Sequence, residues 1–250
     1  MTEHVTIHIY RGTPKKQYWE SYCLEIKPGM NVISCLMEIQ QYPVTSDGKK
    51  VIPIVWEDGC LEEVCGSCSM LVNGRPRQAC TALIRKLMTK SNEIRLGPLT
   101  KFPLIRDLRV DRTVMFDNLK RVNAWIDVDG YFDRGEGPKI AQKKQDMRYT
   151  LSTCMTCGCC SEACPQVTQT TSFVGPAAIS QVRLFNMHPT GDMNKRKRLT
   201  ALMEEGGIAD CGNAQNCVRV CPKEIPLTDS IAEMSSKVTS EVIKMAFGVD

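Results

Sequence analysis

The sequence predicts an α+β fold in two parts: a small mixed β-sheet packed on one helix, followed by a helical region with cysteines on its connecting loops. Three observations predict this fold. Apolar and polar residues alternate near the N-terminus, apolar residues recur at helical spacing in the second half, and most of the fourteen cysteines fall in three runs. A chain of 250 residues suits two domains, and we expect them at residues 1–105 and 106–250.

The first part has the pattern of strands around one helix. Residues 5–9 and 22–26 alternate between apolar and polar side chains, which predicts two half-buried strands. Residues 31–42 carry an apolar stripe at helical spacing, with Asn31 as the N-terminal cap and Pro43 as the terminator. Two further strands are predicted, VIPIVW at residues 51–56 and EIRL at residues 93–96.

The first cysteine run, CLEEVCGSCSMLVNGRPRQAC, has the loop spacing of plant-type [2Fe-2S] proteins, C-x4-C-x2-C, at Cys60, Cys65 and Cys68. Asn73 and Gly74 separate two strand-like segments and predict a type I′ hairpin, which returns Cys80 to the loop. Gly66 supports a tightly wrapped backbone, because glycine adopts conformations that other residues avoid. The sequence therefore predicts a [2Fe-2S] cluster on these four cysteines, in a plant-type ferredoxin-like (β-grasp) domain.

The second part is predicted to be helical. Residues 97–111 form an extended linker, since Pro98 and Pro103 exclude a helix. Thr228 or Asp229 is the expected N-terminal cap of the last helix. The predicted helices cover residues 112–125, 139–151, 177–185, 196–205 and 230–247.

The second cysteine run, CMTCGCCSEACP, has the C-x2-C-x2-C-x3-C-P spacing of two-cluster ferredoxins, at Cys154, Cys157, Cys160 and Cys164. In that motif the fourth cysteine binds the other cluster, so a complementary run is required. It is found in CGNAQNCVRVCP, with Cys211, Cys217 and Cys221, and with Ala214 where a third cysteine would stand. The second domain is therefore predicted to be an all-α domain of the bacterial two-cluster ferredoxin type.

Crossing the fourth cysteines gives one complete site and one incomplete site. The complete site, predicted to hold a [4Fe-4S] cluster, consists of Cys154, Cys157, Cys160 and Cys221. The other, predicted to hold a [3Fe-4S] cluster, consists of Cys164, Cys211 and Cys217. A fourth iron held by water or by Asp210 is the alternative. Cys159 is left as a spare cysteine beside a cluster.

Disulfides and structural zinc are two other uses of cysteines, and both fit this sequence less well. A disulfide framework belongs to secreted domains, and the N-terminal MTEHVTIHIY lacks signal-peptide character. Structural zinc also uses C-x2-C pairs, but it requires neither the crossed runs nor the x4-x2 loop. Cys23 and Cys35 lie outside every motif and are expected to be buried core residues.

Charge and hydropathy exclude other functions. The net charge of +4 is modest, and the basic run at residues 194–198 is interpreted as the solvated start of a helix, so no nucleic-acid partner is expected. The apolar runs are too short to span a membrane.

Together with the linker FPLIRDLRVD, the three runs in this order resemble the iron-sulfur subunit of succinate dehydrogenase and fumarate reductase. The resemblance covers nearly the whole chain. It implies a flavoprotein partner that oxidises succinate at FAD, and a path of electrons from [2Fe-2S] to [4Fe-4S] to [3Fe-4S] and on to quinone. It also implies that this chain has no catalytic residue of its own.

The stretches CLEEVCGSCSM, RPRQACTAL, QVRLFN and HPTG resemble the bacterial branch whose anchor is a dihaem cytochrome b that works with menaquinone. This implies haem b in the anchor and a peripheral position on the cytoplasmic face of the cell membrane. Ubiquinone-reducing members carry an aromatic pair and a histidine where this chain has Thr168, Gln169 and Gly212. No quinone ligand is assigned, and Gln169 and Pro165 are candidate neighbours.

Two alternatives stay open from the sequence. A fumarate reductase would run the same electron path in the reverse direction. A soluble ferredoxin-like carrier would have no fixed partner, and large exposed apolar patches would argue against it.

Overall fold

The computed structural model describes residues 3–88, 91–127 and 139–248. The chain divides into two compact units. Unit 1 consists of Met1–Arg112 and Cys157–Ala163, and unit 2 consists of Thr113–Thr156 and Cys164–Asp250. The assignment of domains to residues 1–105 and 106–250 stays a prediction. No helix within the described residues is both long and apolar enough to cross a membrane.

Unit 1 contains a mixed five-stranded sheet in the order β2-β1-β5-β3-β4. β1 pairs in parallel with β5, whereas the other neighbours are antiparallel. The strands predicted at residues 5–9, 22–26 and 93–96 are confirmed, and the first two are longer than predicted. The strands are β1 His4–Thr13, β2 Lys16–Glu25, β3 Ser69–Val72, β4 Arg75–Gln78 and β5 Glu93–Gly97.

Among the described residues of unit 1, the one long helix is α1, which covers Val32–Gln41 and packs in the same core as the sheet. Asn31 caps it as predicted: its Oδ1 accepts from Ser34 N at 2.8 Å. The inward face of β1 and the apolar stripe of α1 are fully buried, and each such side chain contributes about 1.5–3 kcal/mol. A second, short helix, α2 at Ile84–Leu87, was not predicted.

Side chains of β2 point alternately to the two faces of the sheet, and this alternation sets the environment of Cys23. Tyr22 is 1% exposed and faces the core, so the next residue faces the opposite side of the sheet. Cys23 is exposed and Cys35 is buried. The prediction of a buried residue is therefore wrong for Cys23 and confirmed for Cys35.

The strand predicted at residues 51–56 is wrong. These residues belong to no strand, although Ile54 is buried. Pro53 has no N–H for a ladder, and Val55 N donates to a side chain, Asp107 Oδ2, at 2.9 Å. The apolar run thus packs against the core as irregular backbone.

The predicted linker contains a small hairpin, formed by β6 at Leu104–Arg106 and β7 at Arg109–Val110. Its turn residue, Asp107, has a φ of 50° and is buried. The Asp107 carboxylate accepts two bonds from Arg11, each of 3.3 Å, and one from Gly12 N at 2.8 Å. The absence of helix is confirmed, but the segment is fastened to β1 instead of being a free linker.

Unit 2 is helical, as predicted, and its five predicted helices are confirmed with shifted ends. The last helix begins earlier than expected, and neither Thr228 nor Asp229 caps it, because Pro226 is at the cap position. The helices are α3 Thr113–Arg121, α4 Gln142–Ser152, α6 Gly175–Met187, α7 Pro189–Asp192, α8 Lys195–Met203, α9 Asn216–Arg219 and α10 Leu227–Phe247. The short α5, Cys159–Glu162, belongs to unit 1.

The basic run at residues 194–198 is only partly solvated. Arg198 is 2% exposed, and its guanidinium donates to Trp125 O at 2.6 Å and to Gly191 O at 2.7 Å. The interpretation as a solvated helix start is therefore wrong for Arg198, which ties α8 to the segments around it. Burial lowers the pKa of this guanidinium.

Candidate iron-sulfur centres

The first cysteine loop directs backbone donors at its sulfurs, and most of them at Cys60. Cys60 Sγ accepts from three N–H groups, those of Glu62 at 3.3 Å, Val64 at 3.2 Å and Cys65 at 3.3 Å. Such bonds favour the deprotonated sulfur, which is the form that binds a metal. The loop is thus shaped to hold a thiolate.

The backbone of this loop is wound by left-handed residues. Leu61 has a φ of 60°, Glu63 a φ of 58° and Gly66 a φ of 75°. For a residue with a side chain this conformation costs roughly 1–2 kcal/mol, and it turns successive N–H groups toward Cys60. The expectation of a special backbone at Gly66 is confirmed. Gly59 also lies close to a ligand, since a Cβ there would meet Cys65 Sγ at 3.1 Å.

The four cysteines of the first run meet in two pairs. Hydrogen bonds from the backbone of Cys60 lower the pKa of Cys65 to about 6. Burial, together with its neighbour Cys80, raises the pKa of Cys68 to about 12. Two buried sulfurs in contact become thiolates only if a cation compensates their charge, and bound iron supplies that charge. The pairs therefore fit a cluster with two metal ions.

The predicted hairpin brings Cys80 to the loop. Asn73 has a φ of 51° and Gly74 a φ of 76°, as a type I′ turn requires. At the open end of the hairpin, Thr81 Oγ1 donates to Glu63 Oε1 at 2.8 Å, which links the Cys80 side to the loop. The hairpin prediction is confirmed.

The incomplete site of unit 2 is a pocket. Cys164, Cys211 and Cys217 line it together with Ala214, which occupies the position where a fourth ligand would stand. Burial raises the pKa of Cys217, and the two other sulfurs raise it further. Asp210, the alternative fourth ligand, is not among the described residues that line this pocket.

The side chain of Gln166 lies against Gly212 in the loop around Ala214. A Cβ on Gly212 would contact Gln166 Nε2 and require that side chain to shift. Asn213 and Gln215, on either side of Ala214, have φ values of 52° and 58°. Gln166 therefore fills space that a larger residue at position 212 would need. No sequence motif pointed to Gln166, and both Gln166 and the candidate quinone neighbour Gln169 are exposed.

The cysteines of the predicted [4Fe-4S] site belong to different units. Cys157 and Cys160 are buried in unit 1, and Cys154 and Cys221 belong to unit 2. The side-chain hydrogen bond of Cys159 and the charge of Arg112 lower the pKa of Cys157 to about 7 despite its burial. The joint ligation by all four stays a prediction from their spacing.

One arginine joins the two cysteine segments of unit 1. Arg112 Nη1 donates to Gly66 O at 2.6 Å and to Cys157 O at 3.4 Å. Its Nη2 donates to Ser67 O at 3.3 Å and to Glu57 Oε2 at 3.2 Å. The cysteine spacing in the sequence did not predict that Arg112 would bind both segments.

The Glu162 carboxylate holds the other end of the segment Cys157–Ala163. Glu162 is 9% exposed, and it accepts from Thr100 Oγ1 at 2.7 Å and from Lys101 N at 2.9 Å. The segment Cys157–Ala163 is thus held within unit 1 at both ends, although it lies far along the chain from the rest of that unit.

All fourteen cysteines lie among the described residues, and none of them forms a disulfide. Within the same residues, no group of three or more His, Cys, Asp or Glu side chains has an arrangement that could hold a single metal ion. A cluster of several irons spreads its ligands more widely than one ion does. Backbone donors to sulfur and paired buried thiols are the features that fit such a cluster.

Comparison with known proteins agrees with this chemistry. The model of a 2Fe-2S iron-sulfur cluster binding domain matches residues 6–117, and that of a 4Fe-4S dicluster domain matches residues 150–225. The chain is 55% identical over 233 residues to the succinate dehydrogenase iron-sulfur subunit of Bacillus subtilis, which covers 93% of this chain and 91% of that protein. The chain belongs to the family of iron-sulfur subunits of succinate dehydrogenase and fumarate reductase.

One further relative and one solved structure are less similar in sequence. The fumarate reductase iron-sulfur subunit of Wolinella succinogenes is 31% identical over 251 residues, which cover 96% of this chain and 99% of that protein. A chain of the Mycobacterium smegmatis Sdh1 complex in the apo form has a TM-score of 0.82 at 23% identity, with coverage of 96% and 97%. That structure shares the fold.

The family assignment confirms the predicted fold class and cofactors of this iron-sulfur subunit. Its first domain holds a [2Fe-2S] cluster, and its dicluster domain spans both C-terminal cysteine runs. It is an electron-transferring part of an oxidoreductase, and the zinc and disulfide alternatives are set aside. The assignment of individual cysteines as ligands stays a prediction.

Proposed function

We propose that this chain is the electron-carrying subunit of a membrane-bound succinate:menaquinone oxidoreductase. The proposal rests on the match of 93% of this chain to a succinate dehydrogenase iron-sulfur subunit. It is supported by the loop of the first domain, whose backbone N–H groups donate to Cys60 Sγ. When bound, the clusters accept one electron at a time, which couples the two-electron oxidation of succinate at FAD to the reduction of quinone.

The proposed ligands are eleven of the fourteen cysteines. Their support is the spacing of the three runs, the contacts in the first loop and the pocket of the incomplete site. The proposed ligands are Cys60, Cys65, Cys68 and Cys80 for [2Fe-2S], Cys154, Cys157, Cys160 and Cys221 for [4Fe-4S], and Cys164, Cys211 and Cys217 for [3Fe-4S].

The residues of this chain bind and shield these groups. Backbone N–H groups directed at Cys60 stabilise its negative charge. Burial of Cys68, Cys157 and Cys217 excludes water from the sulfurs. Hydrogen bonds and burial are the means by which a protein sets the potential of a cluster.

Menaquinone and a dihaem cytochrome b anchor are the finer part of the proposal. They rest on the resemblance of CLEEVCGSCSM, RPRQACTAL, QVRLFN and HPTG to that branch, and on the absence of the aromatic pair and histidine of ubiquinone enzymes. Gln166 occupies space that a side chain at Gly212 would require. At position 212 this subunit has glycine and no histidine to offer the quinone, whose site is expected to lie mainly in the anchor.

Exposed apolar side chains argue against the soluble-carrier alternative. Trp19 and Ile52 in unit 1 are 52% and 68% exposed, and Met245 and Phe247 at the end of α10 in unit 2 are 50% and 79% exposed. Fixed partners cover such residues in permanent complexes. We propose a flavoprotein and a membrane anchor as those partners, on the cytoplasmic face of the membrane.

The experiment is detergent extraction of membranes followed by gel filtration of the tagged chain. An FAD protein and a small haem-containing membrane protein are expected to copurify, with menaquinone in the lipid extract. A chain that stays in the soluble fraction as a monomer after gentle lysis would refute the complex. Two haems per complex, measured by absorbance, test the dihaem anchor separately.

The direction of catalysis depends on the donor and the acceptor and not on this chain. Comparing succinate oxidation with quinol-driven fumarate reduction in the purified complex distinguishes the two. Faster succinate oxidation is expected, and the reverse result would make the complex a fumarate reductase.

A further inference from the structure

A buried glutamine lies between two cysteine segments of unit 1. Gln78, at the end of β4, pairs across the hairpin with Ser69 and is 0% exposed. Its Nε2 donates to Ser69 Oγ at 2.7 Å and to Cys159 Sγ at 3.7 Å, and its Oε1 accepts from Cys68 Sγ at 3.4 Å. One amide therefore contacts a proposed [2Fe-2S] ligand and the spare cysteine next to Cys160.

This orientation suits Cys68 only as a thiol. A thiolate has no proton to donate, so a cluster ligand at Cys68 would face the Gln78 carbonyl oxygen as a second acceptor. Two acceptors facing one another in a buried place are unfavourable. The two ends of an amide have nearly the same shape, and a half-turn about the last side-chain bond exchanges them.

The exchanged orientation gives the Cys68 thiolate a donor. Nε2 then donates to Cys68 Sγ, and Oε1 faces Ser69 Oγ, which carries a proton, while the Cys159 thiol keeps its hydrogen bond to Cys157. In the structure, before this exchange, the Ser69 hydroxyl donates to Gly66 O at 2.8 Å. The same oxygen also accepts from Arg112 Nη1 at 2.6 Å. Ser69 can turn to Gln78 without leaving Gly66 O unpaired.

We infer that Gln78 is a positioning residue of the [2Fe-2S] centre, and that its side-chain N–H donates to the Cys68 thiolate while its carbonyl accepts from the Ser69 hydroxyl. The inference rests on the proposed function, because it takes Cys68 to be a cluster ligand. A hydrogen bond to a ligand sulfur stabilises the more negative, reduced state and so raises the midpoint potential. The Ser69 hydroxyl thereby serves as the donor that fixes the orientation of the amide.

The first test is Gln78→Met in the assembled complex, because methionine preserves the length of the side chain and removes the donor. The midpoint potential of the [2Fe-2S] centre, followed by its EPR signal during a redox titration, is expected to shift downward. Gln41→Met, at an exposed position of α1, is the matched control and is expected to leave the potential unchanged. Iron and sulfide content is measured in each variant.

The second test uses the unmodified complex, so it does not depend on the folding of a variant. Glutamine labelled with ¹⁵N in the side chain is incorporated, and pulsed EPR is recorded on the reduced [2Fe-2S] centre. A ¹⁵N coupling is expected in the native complex and in Gln41→Met. Where Gln78→Met assembles, the coupling is expected to disappear.

The outcomes separate this inference from the proposed function. A native complex with a [2Fe-2S] signal but no side-chain ¹⁵N coupling overturns the role of Gln78. So does an unchanged potential in a fully loaded Gln78→Met complex. A native complex without any [2Fe-2S] signal overturns the proposed function instead.

Discussion

At the scale of single residues, the pocket of the incomplete site depends on Ala214. This residue lines the pocket with three cysteines and offers no lone pair to a metal. A methyl group at this corner leaves a fourth iron without a protein ligand. The two left-handed residues that flank Ala214 hold the loop in a shape that aims position 214 into the pocket.

Changing Ala214→Cys is expected to supply the missing thiolate and admit a fourth iron. An oxidised [3Fe-4S] cluster is paramagnetic, whereas an oxidised low-potential [4Fe-4S] cluster is not, so the EPR signal of the oxidised complex should vanish. The potential of this centre should also fall, and each ~59 mV is a tenfold change in a one-electron equilibrium. Quinone reduction should then slow, while succinate oxidation by a dye that accepts electrons at the flavin should persist.

Serine at the same position is the matched control for Ala214→Cys. Its hydroxyl is a weaker ligand for iron than a thiolate, so the oxidised signal should largely remain. Persistence of the signal in the cysteine variant, or its absence in the unmodified complex, would contradict the three-iron assignment.

The three cysteines outside the proposed ligand sets differ in exposure, which predicts their reactivity. Cys23 is exposed, whereas Cys35 and Cys159 are fully buried. Burial also raises the pKa of Cys35 to about 12, so its reactive thiolate is scarce at neutral pH. Brief alkylation of the native, cluster-loaded chain at pH 7.5, read by mass spectrometry, should label Cys23 and neither of the others. Labelling of Cys35 before Cys23 would contradict the burial of α1.

At the scale of elements, the hairpin β6-β7 is fastened to the sheet by a buried ion pair. Asp107→Ala should lower the free energy of unfolding by about 3–5 kcal/mol. It leaves the N–H groups of Gly12 and Val55 without their acceptor and removes one of the two carboxylates beside the buried Arg11, which keeps Glu20 at 2.6 Å. Asp117→Ala, which breaks an exposed pair with Lys120, should change it by less than about 1 kcal/mol. Denaturant unfolding of the loaded chain measures both. Equal effects of the two substitutions would show that the buried pair does not fasten the hairpin.

The two cysteine segments of unit 1 share Arg112, so this residue should affect the stability of the [2Fe-2S] loop. Arg112→Gln is expected to lose charge-assisted hydrogen bonds worth about 1–3 kcal/mol and to speed the release of iron to a chelator. Arg109→Gln is the control, because Arg109 pairs with the same Glu57 at 2.8 Å but its side chain is 48% exposed. The absorbance of the cluster during chelation gives the rates. If both variants release iron at the same rate, the bonds to Gly66 O and Ser67 O have no such role.

At the scale of the whole molecule, the cysteines belong to the cores that hold the chain together. Cys68 and Cys80 lie within the core of unit 1, and Cys164 and Cys211 pack against the core of unit 2. Cluster binding and folding should therefore be coupled.

The loaded subunit should contain about nine iron atoms and about ten sulfides, the sum for [2Fe-2S], [4Fe-4S] and [3Fe-4S] clusters. Metal and sulfide analysis of the purified complex checks this count, with iron in its haem subtracted. A chain produced without iron should lose helical structure in unit 2, measured by circular dichroism and by protease sensitivity. Zinc in place of iron, a total near four, or an unchanged helical spectrum without iron would each contradict the prediction.

The features that depend on local spacing could be predicted from the sequence. Cysteine runs, the Asn73–Gly74 turn and the Asn31 cap each need only a few neighbouring residues, because backbone conformation and ligand reach act over short stretches. These features were enough to predict the two-part fold and the three clusters. The same local patterns also misled, since the apolar run at residues 51–56 was predicted as a strand.

The tertiary structure decided what depends on residues distant in sequence. Gln78 contacts Cys159 across 81 positions, and Arg11 meets Asp107 across 96. Burial likewise separates Cys23 from Cys35, although both lie outside every motif. No local pattern encodes such contacts, because each side chain acquires its partner only when the fold brings the two segments together. The clusters could therefore be predicted from the sequence, but the hydrogen bonds around their ligands could not.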